Sequence, residues 1–121
     1  MKPIKFNIIN NFRNSINGLK DIFCNEAAFR IEVLVFIIMT LIASSMPISI
    51  ESRAILILSL PIVLLAEIIN SAIERAVDTA TMEYDENAKR SKDAASTIVL
   101  IAILWVVAIW CSVLYFAFKV V

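Results

Sequence analysis

Glu67-Ile68-Ile69-Asn70-Ser71-Ala72-Ile73-Glu74-Arg75-Ala76-Val77-Asp78 is the stretch on which the reading of this chain turns. At about 100° per residue, Glu67, Asn70, Ser71, Glu74 and Asp78 share an arc of roughly 100°, while Ile68, Ile69, Ile73, Ala76 and Val77 fall elsewhere. The segment predicts a helix with carboxylates laddered along one face. It continues an apolar run from Ala54 to Ala66, so the first rungs enter a hydrophobic helix. A carboxylate at membrane depth costs about 2.5–3.5 kcal/mol on insertion scales, so it faces protein or water and serves an ion, a proton or a substrate. The bland alternative is a solvated helix end whose acids pair with Arg75, Lys89 or Lys92, and it weighs more for Asp78 than for Glu67, which lies between Leu64-Leu65-Ala66 and Ile68-Ile69.

Outward from the ladder the chain reads as one integral-membrane domain over residues 1–121, because 60% of it is hydrophobic against about 45–50% in soluble domains. Val33 to Ile50 carries no charge; extended back towards Arg30 it suffices to cross a hydrocarbon core of about 30 Å. The expected spans are 29–49, 53–76 continuing into a cytoplasmic loop, and 94–118. The last lies in a charge-free run, Ala94 to Phe118, with Trp105, Trp110, Tyr115, Phe116 and Phe118 as interfacial anchors. Pro61 predicts a kink in the second span. Before the spans, in residues 1–28, Ile8, Ile9, Phe12, Ile16, Leu19 and Phe23 recur at helical spacing, the stripe of an amphipathic helix in the membrane interface. That region lacks a signal peptide's continuous apolar core, so no cleavage is expected. Lys and Arg number five before the first span, one in the first loop, four in the second and one at the end. By the positive-inside rule the N-terminus and second loop are cytoplasmic and the C-terminus is outside.

Composition excludes several classes. The single glycine, Gly18, cannot build a P-loop, a dinucleotide fingerprint or a kinase glycine loop, all of which expose backbone N–H groups through several glycines. Without His, and with only Cys24 and Cys111, a divalent ion would have oxygen ligands, which points to Mg²⁺. Cys111 lies in an apolar run and Cys24 among polar residues, so no disulfide is expected. Zero net charge argues against nucleic acid as a partner.

Asn25-Glu26 before the first span and Lys92-Asp93 before the third meet the ladder at the same leaflet. Acids one helical turn apart with a nearby Lys are the parts for holding Mg²⁺ on a polyphosphate and neutralising transferred charge. Here the residues become familiar. The chain resembles the prokaryotic membrane-integral diacylglycerol kinase family through Glu67-x-x-Asn70-Ser71-Ala72-x-Glu74-x-x-Val77-Asp78, through Asn25-Glu26-Ala27-Ala28-Phe29-Arg30, and through Glu83-Tyr84, Lys92-Asp93 and Ile109-Trp110-Cys111. The likeness covers about Ser15 to Cys111.

The resemblance implies an all-α membrane protein, with an N-terminal amphipathic surface helix and three transmembrane helices, in a homotrimeric bundle whose active sites are shared between subunits. It implies a kinase of the bacterial cytoplasmic membrane that moves the γ-phosphate of MgATP to the primary hydroxyl of diacylglycerol, giving phosphatidate. Glu67 would be the general base, with Asn70 orienting the ladder acids or the lipid headgroup. Glu26 and Glu74 would hold the metal and touch ATP. Asn14, Ser15, Glu83, Tyr84, Asp85, Lys92 and Asp93 would complete the ATP site. Ala28, Phe29, Arg30, Arg53, Ser96 and Trp110 would line the lipid site together with Glu67. Trp110, Arg53 and Phe29 also read as ordinary packing or loop residues. Two departures touch nucleotide contacts: Asn7 where the family commonly has Arg, and Asp85 where His is usual. A neighbouring branch of the superfamily phosphorylates undecaprenol with the same core signature, and it is the alternative substrate. From another class, a small oligomeric ion or proton conductor could line a path with Glu67, Asn70 and Glu74. Clustering of the acids at one leaflet, and a third span without ionisable groups, favour the kinase.

Overall fold

A computed structural model describes residues 6–119, in five helices: α1 (Ile8–Asn25), α2 (Ala27–Ser45), α3 (Ile50–Ser59), α4 (Pro61–Ala80) and α5 (Glu86–Lys119). Lys2 and Lys5, counted above towards the cytoplasmic charge, lie outside the described residues. Among these, three helical stretches are long and apolar enough to cross a membrane: α2, α3 with α4 over Ile50–Ala80, and α5.

Local chemistry sets each boundary. Asn7 caps α1, its Oδ1 accepting the N–H groups of Ile9 at 3.0 Å and Asn10 at 3.2 Å. The helix ends where Glu26 turns extended (φ −107°, ψ 109°), and α2 begins at the next residue. Arg30, one turn into α2, donates Nη1 to the Phe23 and Cys24 carbonyls at 2.9 and 2.8 Å, satisfying acceptors that the end of α1 leaves open. α2 stops at Ser45, short of the charge-free run's end, because Met46 precedes Pro47 and is pushed to extended backbone (φ −71°, ψ 142°). Ser49 then caps α3 by accepting the Ser52 N–H at 3.1 Å.

The second span is broken at the proline. Pro61 has no N–H for the Ile57 carbonyl, which accepts instead from Leu60 N at 3.3 Å, so α3 ends in a tighter turn and Pro61 opens α4 at its first position. α4 then runs to Ala80, past residue 76, and α5 starts at Glu86, eight residues before the charge-free run. At about 1.5 Å per residue its 34 residues exceed a hydrocarbon core of about 30 Å, which leaves its charged first turns beyond the membrane.

α4 packs most extensively on α5. Small residues are buried on both helices, Ala66 and Ser71 on α4 and Ala95 and Ala102 on α5, and small side chains allow close approach where dispersion, not water exclusion, drives helix association. The apolar core, Ala43, Leu56, Leu60, Val106 and Trp110, lies towards the turn joining α2 to α3, leaving the polar residues of α4 at the other end. Large side chains such as Leu34, Leu41, Leu104 and Trp105 are exposed on the outer faces, as expected of lipid-facing helices.

Candidate active site

The inward face of α4 is polar where the surrounding sequence is apolar. Glu67, Asn70 and Ser71 are buried, Glu74 is half-buried and Asp78 exposed, so the ladder climbs from the packed interior to the loop end of the bundle. Asn70 donates Nδ2 to Glu74 Oε1 at 3.2 Å, tying consecutive rungs together, while its own Oδ1 is buried without a partner among the described residues. Among the described residues, Glu74 and Glu26 are two of the charged groups near Glu67. Glu26 is placed by the break between α1 and α2, which points a residue distant in sequence at the α4 ladder.

Arg75 secures this junction. Its Nε and Nη2 both donate to Glu26 Oε1, at 3.1 and 2.7 Å, and its Nη1 to Asp21 Oδ2 on α1. Hydrogen bonding to that guanidinium holds the Asp21 carboxyl below its ordinary range against a smaller opposing effect of desolvation. The basic partners expected on a solvated helix end are therefore present but distributed: Arg75 goes to Asp21 and Glu26, Lys92 Nζ to Asp78 Oδ1 at 2.5 Å, and Lys89 Nζ to Asp93 Oδ2 at 2.6 Å. Glu67 pairs with none of these bases.

Beyond the ladder, the turn between α4 and α5 forms a cleft of about 410 Å³ whose lining includes Asp78, Glu83, Tyr84, Asp85, Lys92 and Asp93. Five of the residues assigned above to ATP thus meet in one place. Asp85 also serves the fold there, its Oδ1 accepting the Ala88 N–H at 2.8 Å at the start of α5. Asn14 and Ser15 are exposed on α1, about 17 Å along the helix from Glu26 at 1.5 Å per residue, and the Ser15 hydroxyl donates to the Asn11 carbonyl.

The residues assigned to the lipid do not form one group. Phe29 is buried, whereas Ala28 and Ser96 are exposed. Arg53 and Trp110 belong to the opposite end: Arg53 donates Nη2 to the Met46 carbonyl at 3.1 Å, and Trp110 fills the core beside Leu56. Arg53 on α3 and Glu67 on α4 are fourteen positions apart, roughly 21 Å at helical rise.

One acid escaped the sequence reading. Glu32, immediately before the charge-free run, lies near Glu67, and its Oε2 is buried without a hydrogen-bond partner among the described residues. Among the described residues it is the one charged side chain lining an apolar cavity of about 310 Å³ with Phe36, Met39, Leu60 and Val106. The available signal was its helical spacing from Phe29 and Phe36, three and four residues away on one face of α2.

Among the described residues no three Asp, Glu or Cys side chains converge closely enough to enclose a metal ion. Glu26 and Glu74 supply two carboxylates, a donor set that fits Mg²⁺ bound by one or two acids with the rest of its shell from phosphates and water. Dedicated all-protein cages are a different design.

Comparison with known proteins gives concordant matches. The model of a family described as prokaryotic diacylglycerol kinase matches residues 13–114. A diacylglycerol kinase of Escherichia coli is 42% identical over 101 residues, covering 84% of this chain and 83% of that one. The Haemophilus influenzae diacylglycerol kinase is 35% identical over 109 residues, with 90% and 92% covered, and that of Pseudomonas aeruginosa 32% over 107, with 88% and 87%.

Proposed function

Because this chain belongs to the prokaryotic diacylglycerol kinase family, we propose that it transfers the γ-phosphate of ATP to the primary hydroxyl of a diacylglycerol in the bacterial cytoplasmic membrane, giving phosphatidate. The observation that carries the residue assignment is the position of Glu67: a buried carboxylate, one turn from Asn70 and two from Glu74, at the inner end of a polar ladder that opens onto the α4–α5 cleft.

In this reading Glu67 accepts the hydroxyl proton as the lipid oxygen forms its bond to the γ-phosphorus. The bond from that phosphorus to the β–γ bridging oxygen breaks, and ADP leaves with the electron pair. A base so placed contributes about 10²–10⁴-fold in typical enzymes. Asn70 restrains Glu74 through its Nδ2 donation and keeps Oδ1 available to the lipid hydroxyl. Glu26 and Glu74 would hold Mg²⁺, which when bound neutralises phosphate charge and aligns the transferred group. Lys92 releases Asp78 to meet the phosphates, while Glu83, Tyr84, Asp85 and Asp93 enclose the nucleoside end of ATP, and Asn14 and Ser15 approach it from α1. Ala28, Phe29, Arg30 and Ser96 contact lipid near Glu67, whereas Arg53 and Trp110 act farther along the acyl path.

Two further elements complete the reading. α1, whose Ile8, Phe12 and Leu19 are exposed, lies in the cytoplasmic membrane interface with the N-terminus on that side and the C-terminus outside. Three copies assemble, so that the apolar faces one chain leaves open are covered and each active site draws on two subunits. The deciding experiment is transfer of labelled γ-phosphate from MgATP, by the purified protein in lipid-doped micelles, to diacylglycerol and undecaprenol side by side. Faster phosphatidate formation is the expected result. Preference for the polyprenol would reassign the substrate, and no transfer to either would overturn the reading.

A further inference from the structure

Within the ladder segment, Arg75 takes no part in the proposed transfer step. It lies about 80° around α4 from Glu67, beyond Ser71, and reaches across to the junction of α1 and α2. We propose that Arg75 is a positioning residue for the divalent cation: its guanidinium grips one oxygen of Glu26 and leaves the other for the ion. The inference rests on the assignment of Glu26 and Glu74 as the cation's carboxylate ligands.

Three features carry it. Nε and Nη2 converge on Oε1 at 3.1 and 2.7 Å, and Oε2 accepts no hydrogen bond from the described residues, so one oxygen is fixed and the other is free. Glu26 stands on the extended residue between two helices, where neither helix constrains its carboxylate and an external grip decides its direction. The third feature is charge. A bare guanidinium beside a cation site would repel the cation, but Arg75 also binds Asp21 through Nη1, which offsets its positive charge and leaves Glu26 and Glu74 formally doubly negative. Only a planar fork with several fixed donors serves two carboxylates in this way; the single ammonium of Lys cannot reproduce it. Asp21 thereby links the alignment of Glu26 to the seating of α1, which otherwise packs chiefly on α2.

The test is Mn²⁺ binding to the nucleotide-free, full-length protein in bicelles, followed by the electron paramagnetic resonance of the free ion, alongside thermal unfolding. Arg75→Lys and Arg75→Gln are expected to weaken Mn²⁺ binding by about tenfold or more, the usual effect of removing a group that orients a metal ligand. Asp21→Asn, which leaves an uncompensated guanidinium beside the site, should weaken it as well. If Glu26→Gln loses Mn²⁺ while both Arg75 variants bind it as the parent does, Glu26 needs no orienting group and the proposal fails. Lower thermal stability with unchanged Mn²⁺ affinity in the Arg75 variants also overturns it, leaving only a structural clamp. If Glu26→Gln and Glu74→Gln both retain Mn²⁺ binding, the ligand assignment itself is wrong. Should Arg75→Gln not fold, Arg75→Lys and Asp21→Asn decide the matter.

Discussion

Asn70 donates its Nδ2 to Glu74 Oε1 at 3.2 Å within the buried face of α4, and its Oδ1, also buried, has no partner among the described residues. A buried amide oxygen left unpaired costs about 1–3 kcal/mol. The expense is understandable where substrate supplies the missing donor, and a lipid hydroxyl is such a donor. Asn70→Ala should therefore raise the half-saturating Mg²⁺ concentration, through loss of the Glu74 anchor, and slow turnover by about tenfold or more. Unchanged metal titration would remove Asn70 from that part.

Glu67→Gln keeps the shape and burial of the side chain but cannot accept a proton. Turnover should fall by at least about 10²-fold, with ATP binding and thermal stability little changed. Phosphate transfer at near-parental rates would take Glu67 out of the base's position.

Lys92 and Asp78 join α5 to α4 through side chains 39% and 62% exposed. Exposed pairs of this kind contribute about 0–1 kcal/mol. Lys92→Ala is thus expected to leave thermal unfolding almost unmoved while raising the KM for ATP about tenfold, since the lost charge matters to phosphate and not to the fold. A large drop in melting temperature at constant KM would reverse this assignment.

Asp21 is held below its ordinary pKa of 3.8 by Arg75. A group with a depressed folded-state pKa adds stability above its unfolded pKa and loses it as pH falls through the folded value. Docking of α1 should accordingly persist at pH 5 and above and weaken progressively below about 4. Hydrogen exchange of the α1 amides, corrected for intrinsic rates, reads this directly. Asp21→Asn should show the looser α1 at every pH, and equal protection in the two proteins would remove the pair from α1 docking.

Much of this architecture is legible in the sequence. Long charge-free runs must be helical in lipid, because every backbone group has to be satisfied within the segment. The phase of Glu67, Asn70, Ser71, Glu74 and Asp78 follows from helix periodicity alone. Pro61 marked the break in the second span because its missing N–H is a property of the residue. Helix ends were less legible: α2 stops at Ser45 and α5 starts at Glu86 because Pro47 and the Asp85 cap outrank hydropathy there. Glu32 went unseen because it stands at the edge of an apolar run, where a charge reads as a boundary and not as a neighbour of Glu67.

Sequence by itself determined the helices, their polar faces and the family, since all three depend on residue type at fixed local spacing. Which acid meets which base was decided only by the tertiary structure. Arg75 is one residue from Glu74 yet binds Glu26 and Asp21, 49 and 54 positions away, and Lys92 crosses from α5 to Asp78. Ion pairs form between side chains that helix packing and the α1–α2 break bring within about 3 Å, and at that range distance in space, not separation along the chain, sets the interaction.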